Sequence, residues 1–275
     1  MGRSTLDVQR ASSGVASVVI DAPPINVMTV GLFFELADTV DRLAADDDVR
    51  AVVFRSANPD WFIAHFDVEA ILTFPTEAPP ASELNRFHSM CETLRTMPKV
   101  TIAAIDGRVG GGGSEFASSC DMRFATPRSI FNQPEVALGI IPGGSGTVRL
   151  PALLGRARAL EVMLGCNDID AATAERWGWV NRLVAPEDLV DHVEQLAARV
   201  ASFSAAAVGA VKDSVNRVDA DVHGRLLAEG DSFNALLADP TSRRAMQRFL
   251  DIGGQTPEGE ARLGDLAAEL SADPA

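Results

Sequence analysis

Residues 99–115 read KVTIAAIDGRVGGGGSE, an apolar run that ends in four consecutive glycines, Gly110 to Gly113, with a lone glutamate, Glu115, just behind them. The apolar run predicts a buried strand over 99–107. Glycine in a helix or strand costs roughly 0.5–1 kcal/mol relative to alanine through backbone entropy, so a run of four needs a reason beyond regular structure. One reason is backbone approach closer than any Cβ allows. The other is a set of N–H groups offered to a ligand at the start of a helix, where they lack partners and carry the positive end of the dipole. The run alone leaves both open.

Phosphate binding is excluded by the residues after the glycines. A Walker A loop requires Lys and then Ser or Thr, but here Ser114 and Glu115 come next. A dinucleotide fingerprint requires spaced glycines and an acidic residue at the end of the next strand, whereas Asp121 precedes that strand. The remaining ligand reading is a carbonyl oxygen that becomes anionic, held in an oxyanion hole.

The rest of the chain alternates short apolar runs with helical patterns, which indicates α/β layering. VASVVID (15–21) predicts a strand that breaks at APPIN. From Val30, apolar residues at Phe33, Leu36, Val40 and Leu43 predict a helix that ends at the acidic DDD. RAVVFRS (50–56) predicts another buried strand, and a short helix starts near Asp67, a favoured N-cap residue. A helix is predicted over 82–96, stopped by Pro98. EFASSC predicts a short helix, DMRFAT (121–126) a strand, and FNQPEVALGIIPGGSGTVRL a loop leading into a helix. Beyond about Pro151 the pattern is helical, with one strand candidate at 179–184 and a polar, frayed tail expected after about Gln255. The division expected is a core over 1–200 and a helical region over 201–275.

Glu115 in a first helical turn is commonly there for the dipole. Glu135 changes the balance. It comes directly after Pro134 inside an otherwise apolar segment, where desolvation would raise its pKa and suit it to proton transfer. Two such glutamates can flank one reacting centre.

GRVGGGGSEFASSCDMRFA, together with FNQPEVALGIIPGGSGTVRLPALLG, resembles the signature of the crotonase superfamily, the enoyl-CoA hydratase/isomerase family. The likeness runs over roughly residues 10–250, through FRSANPDWFIAHFD, LGCNDIDAATAERWGWVNRLV and the AVKDSVN helix. It implies a spiral of ββα units and an acyl-CoA thioester whose carbonyl is held by two backbone N–H groups. Carried over by position, the donors are those of Phe66 and Gly112. Glu115 would activate water for attack at C3 and Glu135 would deliver a proton to C2, a reversible syn hydration of a trans-2-enoyl-CoA. Ala64, His65, Asp67, Gly111, Pro134 and Gly143 are implied as substrate-binding positions. No metal or further cofactor is implied, coenzyme A being part of the substrate. The resemblance also implies a homotrimer or a dimer of trimers.

Two stretches depart from the family pattern. Where it usually reads Ala-Gly-Ala-Asp, this chain has Ala64, His65, Phe66 and Asp67. His65 is expected to face solvent or pack locally; the alternative is that it contacts CoA or tunes the site. The basic ending common in relatives is replaced by LDIGGQTPEGE, which leaves Arg243, Arg244, Arg248 and Lys212 as substitutes for contacts to the CoA phosphates. Ile71, Leu72, Phe87 and Met90 are expected to line the acyl pocket. His88, His192 and His223 are expected to be structural or solvent-facing, and Trp177 and Trp179 to serve packing or a subunit interface.

A net charge of −14 disfavours nucleic acid and anionic membranes as partners. No apolar run approaches the roughly 18–20 residues of a membrane span. The N-terminal MGRSTLDVQRASSG lacks an apolar signal region, and Cys91, Cys120 and Cys166 are too widely spaced for a disulfide framework or a zinc ribbon, so a cytoplasmic protein with buried thiols is expected. Two further readings stay open: an isomerase or another CoA-thioester reaction of the same fold, and a non-catalytic binder of acyl-CoA or of a partner protein.

Overall fold

The computed structural model describes residues 4–77, 79–219 and 221–271. Its strands are β1 (Leu6–Arg10), β2 (Val15–Ile20), β3 (Ala51–Ser56), β4 (Trp61–Ile63), β5 (Val100–Ile105), β6 (Arg108–Gly110), β7 (Met122–Ala125), β8 (Ile130–Asn132), β9 (Ile169–Asp170) and β10 (Arg182–Leu183). One sheet has the order β1-β2-β3-β5-β7-β10 and the other β4-β6-β8-β9. All neighbours pair in parallel except β1 with β2 and β8 with β9.

Between the strands run α1 (Val30–Ala45), α2 (Val68–Ile71), α3 (Arg86–Thr96), α4 (Gly111–Ser119), α5 (Gly146–Leu154), α6 (Arg156–Gly165) and α7 (Ala171–Trp177), with a 3-10 turn at Glu135–Leu138. After β10 come α8 (Leu189–Ala201), α9 (Ala205–Asn216), α10 (Val222–Leu237), α11 (Pro240–Asp251), α12 (Pro257–Glu260) and α13 (Leu263–Ser271). Successive turns of the chain lay one strand in each sheet and then a helical segment: β3, β4, α2 and α3; β5, β6, α4; β7, β8, the 3-10 turn and α5. This is the ββα spiral that the resemblance implied.

The continuous apolar character of the central strands reflects burial on both faces. In β3, Val52 and Phe54 enter the main core between the sheets and α1, α3 and α4, while Ala51 and Val53 face α8 through Leu189, Val193 and Ala197. β5 divides in the same way, with Ala103 and Ile105 on one side and Ile102 and Ala104 on the other. A third cluster joins Val68, Ile71, Leu138 and Ile140 to Leu237, Met246, Phe249, Leu263 and Leu266. The C-terminal helices therefore roof the cleft side of the spiral.

Several expectations need correction. Residues 256–271 are not frayed: Thr256 caps α12, accepting from the Gly259 N–H, and Leu263, Leu266 and Leu270 of α13 are buried, while 272–275, the end of the expected tail, lie outside the described residues. α4 starts within the glycines, at Gly111, rather than at Glu115. α3 begins at Arg86, capped by Asn85, and not at 82. Strands β4, β6, β8 and β9 have only two or three residues each, too few for a periodic signal.

Candidate active site

The glycine run serves both purposes that its sequence left open. A methyl on Gly113 would lie 2.5 Å from the Ile63 carbonyl oxygen, and one on Gly110 2.7 Å from that of Ala64, so these glycines permit close packing of α4 on the 63–66 segment. Gly112 is the second residue of α4, where a backbone N–H has no intrahelical partner. A methyl there would stand 3.4 Å from the Phe66 nitrogen, so Gly112 packs closely against Phe66.

Phe66 is fixed from the opposite side by the loop before α1. Met28 N–H donates to the His65 carbonyl at 2.8 Å, and Asp67 N–H donates to the Met28 carbonyl at 3.1 Å. That loop is in turn tied down by buried Asn26, in a left-handed conformation at φ 52° that asparagine tolerates. Its Nδ2 donates to the carbonyls of Trp61 at 3.1 Å and Phe62 at 3.0 Å, while its Oδ1 accepts from Ala22 N–H at 2.8 Å.

α4 carries Glu115 into the interior, and its Oε1 accepts from the N–H groups of Gly144 at 2.8 Å and Gly146 at 2.7 Å. Both glycines lie in a loop anchored by Glu229 of α10. The Glu229 carboxylate accepts from Ser145 N–H at 2.6 Å, Thr147 N–H at 2.9 Å, the Thr147 hydroxyl and His88 Nε2 at 3.0 Å. Burial pushes Glu115 well above the usual carboxylate range, with Glu135 and Glu229 adding to the rise and the two glycine N–H groups opposing it.

Glu135 opens the 3-10 turn and is also buried. With its nitrogen turned toward Glu135, the Gln133 amide donates to both carboxylate oxygens at 3.2 and 3.0 Å. Burial raises Glu135 to about 7; its own backbone N–H and the nearby His65 pull it down, and Glu229 pushes it up. Gly111, at φ +42°, faces this carboxylate: a methyl there would come within 2.8 Å of Glu135 Oε1 and 2.9 Å of His65 Cβ. An ionised Glu135 therefore favours the protonated form of Glu115.

Of the two packing fates expected for His65, solvent exposure is overturned. The ring is buried, with Nδ1 2.7 Å from the Phe66 carbonyl oxygen and Nε2 2.9 Å from Glu260 Oε1. Burial would push the imidazole down, but Glu260, the Phe66 carbonyl and Glu135 outweigh it and raise the group to about 9.

His65, Phe66, Gly112, Glu115, Pro134, Glu135 and Gly143 line a single cavity of about 310 Å³. Ala64, Asp67 and Gly111 do not line it. Ala64 packs beneath the glycines, and Asp67 caps α2, accepting from Glu69 N–H at 3.0 Å. Ile71 and Phe87 line the cavity as expected, whereas Met90 lies in the main core and Leu72 packs among the C-terminal helices. Phe33, Phe74, Phe233 and Phe249 complete a largely aromatic wall.

Lys212 does not reach the cleft; it is buried and donates to the carbonyls of Leu94 and Lys99 at 2.8 Å and to Asp121 at 2.7 Å. Arg243 donates to the Leu72 carbonyl and Arg244 to Thr241 Oγ1 at 3.3 Å. His88 has a partner in Glu229, His192 packs edge-on against Phe124 with ring centroids 4.9 Å apart, and His223 is exposed. Trp179 is buried, its indole donating to Ser118 Oγ at 3.1 Å, while Trp177 lies under Arg158 at 5.8 Å. The three cysteines are free and buried.

Sequence reasoning missed Glu229, Glu260, Gln133 and Gln255. Glu229 did carry a signal: it falls on the same helical face as Val222, Leu226, Gly230 and Leu237, all buried. An acid on an apolar stripe calls for a polar partner.

A family profile for enoyl-CoA hydratase/isomerase matches residues 10–255. The short-chain-enoyl-CoA hydratase of Clostridium acetobutylicum is 31% identical over 243 residues, which cover 86% of this chain and 91% of that one. The crotonyl-CoA hydratase of Syntrophomonas wolfei is 31% identical over 243 residues, covering 86% and 92%. Among solved structures, an enoyl-CoA hydratase candidate from Streptomyces avermitilis superposes with a TM-score of 0.88 at 35% identity, over 99% of this chain and 100% of that one. Together with the spiral of ββα units, these matches make the protein a member of the enoyl-CoA hydratase/isomerase family of the crotonase superfamily.

Proposed function

We propose that the protein is an enoyl-CoA hydratase that adds water reversibly and syn to a trans-2-enoyl-CoA. The observation that carries this reading is the pairing of Glu115 and Glu135 in one cavity that Phe66 and Gly112 also line. The thioester carbonyl would sit on those two donors and gather negative charge as water adds. Glu115, as carboxylate, takes a proton from the water while its oxygen bonds to C3; Glu135, as carboxylic acid, gives its proton to C2. Atoms balance: the alkene gains one water, and the two carboxyls exchange protonation states.

The test is hydration of a panel of enoyl-CoA thioesters from short to long chain. Each of Glu115→Gln and Glu135→Gln should lower kcat by about 10²- to 10⁴-fold, the usual contribution of a positioned acid or base. Rates that survive both substitutions would refute these roles. The isomerase reading differs in needing a single carboxyl to move a proton between carbons, and product analysis after incubation with a 3-enoyl-CoA separates the two.

No metal or additional cofactor takes part in this scheme. The subunits would associate as a homotrimer or a dimer of trimers through the C-terminal region, where Phe203, Val211, Val215 and Val218 leave apolar side chains exposed. Among the described residues no helix is long and apolar enough to cross a membrane. A cytoplasmic location fits the buried, unpaired cysteines.

A further inference from the structure

His65 takes the place of a glycine in the family pattern, and its ring is enclosed by acceptors. Nδ1 faces the Phe66 carbonyl at 2.7 Å and Nε2 faces Glu260 Oε1 at 2.9 Å. A neutral imidazole has one N–H; two acceptors at hydrogen-bonding distance require two, so the ring is an imidazolium. The titratable groups facing it are Glu260 from α12 and Glu135 from the 3-10 turn. α11 contributes the Phe249 ring, edge-on with centroids 5.8 Å apart, and the glycine run contributes Gly111. Arg108 acts on Glu260, and Asp67 is tied to the same corner through Gln255, whose Nε2 donates to it at 3.1 Å.

Two donors hold the peptides that flank Phe66, the Met28 N–H on one and this cation on the other. The His65 carbonyl, in the peptide that bears the Phe66 N–H, accepts from Met28 at 2.8 Å; the Phe66 carbonyl accepts from the imidazolium. With both oxygens committed, the Phe66 N–H has one direction left, beside Gly112. Donation to the carbonyl end of a peptide also polarises its N–H, which is that of Phe66 for the Met28 bond and that of Asp67 for the imidazolium bond.

We propose that His65, with Glu260 as its counterion, is a positioning residue of the oxyanion hole: by holding the peptide after Phe66 it steadies the Phe66 N–H that the Met28 contact orients, and it keeps a buried positive charge at this corner of the cavity. The inference rests on the oxyanion-hole reading of Phe66. Glu260 belongs to a segment outside the glycine signature, so α12 becomes part of the catalytic apparatus without touching substrate.

The experiment combines long-range ¹H–¹⁵N spectra of histidine-labelled protein with pH–rate profiles on an enoyl-CoA, for wild type, His65→Gln and Glu260→Gln. Wild-type His65 should show both ring nitrogens protonated at pH 7 and titrate near 9. In Glu260→Gln that titration should move to lower pH, because the anion that holds the proton is gone. For His65→Gln, kcat should fall about 10- to 100-fold, less than the roughly 10²–10³ for outright loss of an oxyanion donor. KM should stay within about threefold, because the lost interaction belongs to the transition state. The alkaline limb of kcat/KM should move up, since Glu135 keeps its proton to higher pH once the cation is removed.

A purely structural histidine would lower Tm and leave that limb in place. If His65→Gln does not fold, the wild-type and Glu260→Gln spectra, with kcat of Glu260→Gln, decide the matter. A neutral His65 at pH 7, or variants with wild-type kcat and limb, overturns the inference alone. A wild type inactive on every thioester overturns the functional reading with it.

Discussion

Glu229→Gln tests whether the C-terminal helices set the acidity of Glu115. Glu229 is 4% exposed and its carboxylate accepts from Ser145 N–H, Thr147 N–H, the Thr147 hydroxyl and His88. Glutamine keeps the shape and one acceptor oxygen, which can retain Ser145 and His88. Its NH₂ must then face the Thr147 N–H, donor against donor. A buried donor left unsatisfied costs about 1–3 kcal/mol, and the retained bonds lose the roughly 1 kcal/mol that charge gives each. Lower desolvation of a neutral amide offsets part of this, so a loss of about 2–4 kcal/mol in unfolding free energy is expected. The loop that loosens carries the Gly144 and Gly146 N–H groups on Glu115, so kcat should fall by about 10-fold, as when a catalytic group is misplaced. The pH effect has its own sign. An anion beside a carboxyl raises its pKa, so removing Glu229 lets Glu115 ionise at lower pH, and the acid limb of kcat/KM shifts down. Urea denaturation and a pH–rate profile measure all three. Unchanged stability with an unmoved acid limb would refute the coupling.

The glycines make a second, paired prediction. Gly113→Ala drives a methyl to 2.5 Å from a backbone carbonyl and 2.7 Å from Ile63 Cβ, and should cost about 1–3 kcal/mol of stability, readable as a drop in Tm. Gly112→Ala meets Phe66 Cβ at 3.2 Å; the fold should survive, with the loss appearing in kcat because the two donors are pushed apart. Equal Tm for the two variants would contradict this division of labour. Truncation after Gly254 removes Glu260 and the buried Leu263, Leu266 and Leu270, each side chain worth about 1.5–3 kcal/mol of burial. The truncated chain should bind a hydrophobic dye at the exposed Val68–Phe249 surface and lose Tm and kcat together; retention of both would show that the tail is dispensable.

The central strands were legible because burial on both faces leaves no polar position to blur an apolar run such as AVVF in β3. Strands β4, β6 and β8 escaped because three residues show no period, yet they form the second sheet and deliver Phe66, the glycine run and Glu135 to one place. Their pairing is a product of the spiral, not of local preference. The tail was misjudged for a related reason. TPEGEARLGD has the composition of a frayed end, but Leu263 and Leu266 find an apolar cluster that Val68, Ile71, Leu138 and Ile140, distant in sequence, build together with Leu237, Met246 and Phe249.

Glu115, Glu135 and the glycines could be read from the signature; what sets their chemistry could not. Each of the two carboxyls is conditioned by a partner from beyond it. Glu229 of α10 raises Glu115 and holds the loop that donates to it, while His65 draws Glu135 down and is kept charged by Glu260 of α12. In a cavity this buried, a neighbouring charge acts with little screening, so these outlying residues shift the pH range over which each carboxyl is protonated. Two chains with the same glycine run and the same glutamate pair can therefore differ in working pH, and in the balance of hydration against proton shuttling. The determinants of that difference lie in the C-terminal helices, where a polar residue on an apolar face is the sequence sign to look for.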